Sequence, residues 1–327
     1  MDKIFTEMFS RQPDEIISGD YFYHLPYYEK RSEELRQMVN GIPLEKSHEV
    51  LERNMKTGFK YNWLCGEDNP FLCNPYFIDI LNTYEDTIHA IARDGKPFMD
   101  IASSETMGLA PDVIKLNPQI PCLVTDINAF IMKKLRLCTD ENLLGYNINI
   151  ASFDNYDMPL KDAALDYITS RYGVMSSSSK SDHYQYSVGA EKVIDEIYRI
   201  LKPGGRFIAL EKNRECYYDL RELDNEYNEH GKIYGVYTYD EMQAVCGLLT
   251  DEPWRDKFTA AGFEIEVEEN FHKECSLHDV MHFLNDFTDY HGIHQRKKIN
   301  WSEPRHTENT GFDLYETDTF FVLKKLE

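Results

Sequence analysis

Positive charge is scarce in this chain: Lys and Arg total 35 against 57 Asp and Glu, a formal net charge of -22 over 327 residues. Nucleic-acid backbones and anionic lipid both draw affinity from neutralisation by Lys and Arg, so a field of this sign disfavours either partner. No Lys/Arg run supplies a local exception. No run of 18 consecutive apolar residues is present, which leaves nothing to span a bilayer as a helix. The opening MDKIFTEMFSRQPDE lacks the apolar stretch of a signal peptide. The seven cysteines (65, 73, 122, 138, 216, 246 and 275) are odd in number and contain no C-x-x-C. That usage fits reduced thiols, and the expectation is a cytoplasmic protein without nucleic-acid or membrane partners. A chain of this length buries roughly three quarters of its unfolded surface, so it needs neither disulfide nor metal to hold a core.

What is present divides the chain in two. Phe77, Ile80, Leu81, Tyr84, Ile88 and Ile91 recur at helical spacing until Gly95, and shorter helical patterns cover 29–39 and 45–55. Residues 1–95 therefore read as a helical N-terminal cap. From Lys96 short apolar runs alternate with amphipathic helices: strands are expected at 97–102, 122–125, 148–153, 165–169 and 206–211, with helices at 129–137 and 189–201. In the last of these, Val193, Ile194, Ile197, Ile200 and Leu201 share one face, opposite Glu191, Lys192, Asp195, Glu196 and Arg199. Alternation of this kind argues for a parallel sheet covered on both faces, with ligands beyond the carboxyl ends of the strands. The second unit, 96–327, is interrupted by insertions at about 212–251 and 272–316. A helix at 254–261 and closing strands at 263–268 and 319–323 complete it.

The alternating region carries a set of motifs. Phe98-Met99-Asp100-Ile101-Ala102-Ser103-Ser104-Glu105-Thr106 resembles the first motif of class I S-adenosylmethionine-dependent methyltransferases. Val124-Thr125-Asp126-Ile127-Asn128 is similar to the second. Phe153-Asp154 and Leu165-Asp166-Tyr167-Ile168 look like the third and fourth, and Arg199-Ile200-Leu201-Lys202-Pro203-Gly204-Gly205-Arg206 is the most specific match. The resemblance implies an α/β three-layer, Rossmann-like sheet, mostly parallel with an antiparallel closing strand. It also implies S-adenosylmethionine as cofactor and methyl transfer to a small-molecule acceptor. On it, Asp100, Ala102, Ser103 and Ser104 form the cofactor loop. Asp126, followed by Asn128, meets the ribose; Asp154 meets the adenine amino group, with Phe153 and Ile127 sandwiching the ring; and Ser170 and Arg171 complete the set. The loop departs from the family where glycines are expected, because Ala, Ser and Thr reach positive φ less readily than Gly. A catalytically silent cofactor- or metabolite-binding protein is therefore one alternative, and a protein methyltransferase is another.

Methyl transfer needs alignment more than a reactive side chain, and a general base only where the acceptor's proton is hard to lose. His183, after the fourth expected strand, is the candidate base because its ordinary pKa lies near neutrality; a solvated surface histidine is the plain alternative. Tyr23, Tyr27, Tyr28 and Tyr172 are candidate substrate contacts, stacking on a planar or cationic acceptor. The first three, in YFYHLPYY, serve equally to fasten the cap. His278 and His282 sit i, i+4 but lack H-E-x-x-H and lie opposite an apolar helix face, so no metal site is assigned. Nothing here reports the oligomeric state.

Overall fold

The computed structural model describes residues 1–23, 48–49, 51–52, 55, 77–104, 107–142, 145–174, 190–212, 254–275 and 314–326. In chain order its elements are α1 (Lys3–Met8), β1 (Glu15–Ile17), β2 (Asp20–Phe22), α2 (Phe77–Asp94), β3 (Phe98–Ile101), α3 (Ala110–Leu116), β4 (Cys122–Asp126) and α4 (Ala129–Asn142). There follow β5 (Ile148–Ser152), β6 (Leu165–Arg171), α5 (Ala190–Ile200), β7 (Leu201–Lys212), α6 (Trp254–Ala260), β8 (Phe263–Cys275) and β9 (Leu314–Lys325). Among the described residues no helix is long and apolar enough to cross a membrane.

The nine strands form one sheet in the order β1-β2-β5-β4-β3-β6-β7-β9-β8. Pairing is parallel from β2 through β7 and antiparallel at β1/β2, β7/β9 and β8/β9. The side-chain period of two sorts each strand between two cores. Phe98, Val124, Ile150 and Ile208 pack with α2, α3 and α4, whereas Met99, Leu123, Ala151 and Phe207 pack with α1, α5 and α6. Three layers result. On α5 the expected stripe of Val193, Ile194, Ile197 and Ile200 is fully buried, each side chain contributing roughly 1.5–3 kcal/mol. From β3 the chain moves outward to β4 and β5, then returns to lay β6 against the other side of β3. The strand order therefore reverses between β3 and β6, where a ligand crevice is expected.

Two elements differ from the sequence reading, and one expected turn falls inside a strand. Residues 15–22, expected to be helical, form a hairpin whose two-residue loop, Ser18 (φ 51) and Gly19 (φ 86), has the left-handed backbone of a type I′ turn. Its β2 extends the sheet beside β5, and the buried Asp20 is gripped by Arg136 of α4 (Nε–Oδ2 2.5 Å, Nη2–Oδ1 2.6 Å) and by Ile150 N–H (3.2 Å). The stretch is too short for periodicity to reveal, so the Ser-Gly turn was its only mark. Pro203-Gly204-Gly205 makes the expected tight turn, with Gly204 at φ 76 and a Cβ on Gly205 only 2.9 Å from Lys202 O, but the turn lies inside β7: Leu201 pairs with Leu165 and the next pair is Arg206 with Tyr167. The closing strands are also longer than expected. β8 and β9 remain paired out to Cys275 and Leu314, past the end of β7, where Lys212 meets Asp318. The second insertion is thus carried by a ribbon that continues beyond the carboxyl edge of β7.

Candidate functional site

At the reversal point, Asp100 sits on β3 with its side chain turned to the α2–α3 face and no solvent exposure. Its carboxyl group accepts from Ser103 Oγ (2.6 Å), Thr169 Oγ1 (2.6 Å) and Leu109 N–H (3.0 Å). Burial outweighs these donors and the nearby Arg171 charge, pushing Asp100 up to about 7. The backbone of the following loop is pressed onto the same carboxyl: a Cβ on Gly108 would lie 2.1 Å from Asp100 Oδ1. Asp100 therefore holds the loop from beneath, through the Ser103 hydroxyl and the Leu109 amide, and a side chain sealed inside the protein does not itself reach a ligand.

The loop itself resolves the question raised by its missing glycines. Ala102 (φ 51), Ser104 (φ 53) and Met107 (φ 63) all occupy the left-handed region, with Gly108 (φ 55). For non-glycine residues this costs about 1–2 kcal/mol each, and such conformations persist where the surroundings over-determine them, often at functional sites. The surroundings here are Ser103 N–H on Thr125 O (2.9 Å), Gly108 N–H on Ser103 O (3.1 Å), and Ser104 N–H on Asp126 Oδ2 (3.0 Å). Ser103 is buried with its hydroxyl turned inward to Asp100, so it shapes the loop; Ala102 and Ser104 are half-buried and line it.

Asp126, at the tip of β4, is half-buried, and its second oxygen accepts from Asn128 N–H (2.8 Å). Asn128 in turn caps α4, accepting from Phe130 N–H (3.1 Å) and Ile131 N–H (3.3 Å). Ile127 is half-buried between them, its carbonyl taken by Ser152 Oγ (3.3 Å). Beyond β5, Asp154 is buried and accepts from Tyr156 N–H (2.9 Å); burial raises its pKa. Loop, β4 tip and β5 tip thus stand side by side.

Two expected contacts lie elsewhere. Phe153 is fully buried in the core beneath α5, with Tyr23 edge-on at 6.2 Å, so it packs the domain and does not sandwich an adenine ring. Tyr23 shares that core, stacks on Phe9 at 5.6 Å, and donates its hydroxyl to Arg11 O (3.1 Å). Burial fixes it as a fastener of the N-terminal segment and not as a substrate contact. Tyr27, Tyr28, His183, His278 and His282 lie outside the described residues. Among the described residues no group of His, Cys, Asp or Glu could hold a metal.

At the tip of β6, Ser170 is buried with its Oγ accepting from Gly173 N–H (3.0 Å). Arg171 is half-buried on the opposite face, in the field of Asp100, Tyr84 and Asp112; desolvation lowers its basicity. Tyr84 joins α2 to α3 there by donating to Asp112 Oδ2 (2.6 Å). Sequence reasoning missed Thr169, Tyr84 and Glu211. Glu211, at the end of β7, has no solvent exposure and accepts from Val174 N–H (3.1 Å). Thr169 and Glu211 are polar residues at the ends of apolar runs, and that mismatch was the available signal; Tyr84 stood in the apolar stripe of α2, where nothing marked its hydroxyl.

An adenosyl cofactor suits this arrangement. The loop adopts the glycine-type turn that close backbone approach requires, the half-buried Asp126 carboxylate stands beside it, and the acidic Asp126 and Asp154 favour a cationic sulfonium.

Comparison with known proteins agrees in part of the chain. Residues 83–233 match the profile of the ubiE/COQ5 methyltransferase family. The ubiquinone/menaquinone biosynthesis C-methyltransferase UbiE of Acidiphilium cryptum is 32% identical over 94 residues, 29% of this chain and 34% of its own length. The enzyme of the same name from Serratia proteamaculans is 24% identical over 182 residues, 54% of this chain and 62% of its own. The chain thus spans between a third and two thirds of these relatives. A solved structure from Bacillus halodurans, assigned as a methyltransferase, is 17% identical with a TM-score of 0.47, covering 75% of this chain and 100% of that one.

Proposed function

We propose that this chain, which belongs to the class I S-adenosylmethionine-dependent methyltransferase family, transfers a methyl group from S-adenosylmethionine to a small-molecule acceptor. The observation that carries this reading is the strained loop: Ala102, Ser104 and Met107 hold a left-handed backbone without glycine, and Ser104 N–H joins the loop to Asp126. Left-handed backbone at non-glycine residues is costly and clusters at functional sites, and here three such residues gather at one strand tip.

When bound, the cofactor supplies an electrophilic methyl group together with its leaving group. The chain's own part is placement. Asp126 would take the ribose hydroxyls, Ala102 and Ser104 would border the cofactor, and Ile127 and Asp154 would flank the adenine. Excluding water and aligning the reactants in such a crevice is worth several kcal/mol. Following the relatives, we read the acceptor as an electron-rich, quinol-type ring that takes the methyl group at carbon. A base matters there only to remove a phenolic proton, and His183 is our candidate, with Tyr172, Tyr27 and Tyr28 as acceptor contacts.

Calorimetry with S-adenosylmethionine and S-adenosylhomocysteine tests the site, and Asp126→Ala should weaken both by roughly 1.5–3 kcal/mol, about 10- to 150-fold. Unchanged affinity in a folded variant would refute the assignment. Transfer of labelled methyl to quinols, to other metabolites or to peptides separates the acceptor classes. Binding without transfer to any of them would favour the silent binder that the glycine-poor loop also permits.

A further inference from the structure

The segment after β6 is held at three successive amides. Tyr172 N–H donates to Leu210 O (2.7 Å), Gly173 N–H to Ser170 Oγ (3.0 Å), and Val174 N–H to Glu211 Oε1 (3.1 Å). Both side chains in this set are fully buried. Between them Tyr172 is bent into the left-handed region at φ 57, which is a genuine outlier for a bulky residue. There is no slack nearby: a Cβ on Gly173 would stand 2.4 Å from Ser170 Oγ and 3.1 Å from Ala102 Cβ, so the turn is pressed against the loop after β3.

The half-buried Tyr172 ring packs against apolar residues of both cores. Those cores lie on opposite faces of the sheet, so a ring that touches both lies across the strand ends. The ends in question are the carboxyl ends of β3 and β6, at the reversal point.

We propose that Glu211 is a positioning residue for the acceptor: its hold on Val174 N–H keeps Tyr172 across the carboxyl edge of the sheet, where the ring is a platform for a flat, electron-rich acceptor. The proposal rests on the methyl-transfer reading for the identity of that acceptor's role. Glu211 acts through the turn and not on the reacting atoms. A phenol ring offset-stacks well on a planar partner, and holding the turn in advance removes the ordering penalty at binding.

The test uses the full chain, saturated with S-adenosylhomocysteine, and 1-naphthol as a flat phenol probe read by fluorescence. Glu211→Ala should weaken 1-naphthol at least tenfold while S-adenosylhomocysteine affinity stays within twofold, and Tyr172→Ala should match it. Glu211→Gln keeps a carbonyl acceptor for Val174 N–H and should restore probe affinity to within threefold. Amide hydrogen exchange over 172–174 should lose at least tenfold protection in Glu211→Ala and keep it in Glu211→Gln. Unchanged protection in Glu211→Ala, or equal losses in both variants, would overturn the positioning role. A wild-type protein that binds no 1-naphthol would overturn the platform. Binding and protection as expected, without methyl transfer to any acceptor, would uphold this proposal and defeat the functional reading alone.

Discussion

Replacing Gly108 by alanine probes the contact on which the loop is built. The added Cβ would fall 2.1 Å from Asp100 Oδ1, 2.7 Å from Cγ and 2.8 Å from Oδ2. Asp100 cannot swing away freely, because Ser103, Thr169 and Leu109 N–H all hold its carboxyl and it is fully buried. Two effects combine. Alanine at φ 55 costs about 1–2 kcal/mol. Displacing the carboxyl breaks at least one hydrogen bond to a buried acid, at about 1.5–3 kcal/mol. The sum is about 2.5–5 kcal/mol against a total stability on the order of 5–15 kcal/mol. With an unfolding entropy near 2.1 cal/mol/K per residue over 327 residues, a loss of about 4 kcal/mol lowers Tm by about 6 °C. Differential scanning fluorimetry and urea denaturation read this directly. The decisive comparison is Gly108→Ala in an Asp100→Ala background, where only the backbone part, about 1–2 kcal/mol, should remain. Equal losses in the two backgrounds would show that the close approach of loop and carboxyl is not what fixes Gly108.

Asp100→Asn addresses protonation. Its folded pKa of about 7 lies above the ordinary carboxylate value, so the neutral form favours folding; that stabilisation is complete below about pH 4 and disappears as pH rises through 7. At about 1.4 kcal/mol per pH unit it amounts to about 4 kcal/mol at most. Urea midpoints of the variant and the parent, compared from pH 4 to 8, should therefore shift in the variant's favour with rising pH, and parallel curves would contradict this. Arg136→Ala leaves Asp20 buried without its guanidinium and should cost about 3–5 kcal/mol by urea denaturation; a loss below 1 kcal/mol would mean that water replaces the arginine. Ala102→Gly removes a Cβ from a left-handed position (φ 51) and should raise stability by about 0.5–1 kcal/mol, the strain relieved less the added chain entropy. A decrease in Tm would refute the strain at that residue.

Local patterns made much of this protein legible before any coordinates. The stripe on α5, the α2 periodicity ending at Gly95, and the core strands at 98–101, 122–126 and 148–152 all follow from short-range rules, because burial of one face dictates residue spacing. Asp126 and Asn128 were also within reach, since a polar residue at the end of an apolar run marks a strand tip or a helix cap. Phe153 and Tyr23 show the limit: an aromatic beside a strand tip packs into a core or faces a ligand depending on which side of the sheet it falls, and a sequence does not state the side. Nor could the hairpin at 15–22 be found by periodicity, because each of its strands is only three residues long, and the sheet position of β2 depends on β5, more than a hundred residues away.

The chain alone therefore determined its layers, its acidic surface and the order of its strand-tip motifs, which depend on neighbours along the sequence. Only the folded protein decided which tips meet, that Asp100 is sealed beneath the cofactor loop it was expected to line, and that Ala102, Ser104, Met107 and Tyr172 share a left-handed backbone. Those facts arise from contacts between distant segments, where packing and hydrogen bonds override each residue's own conformational preference.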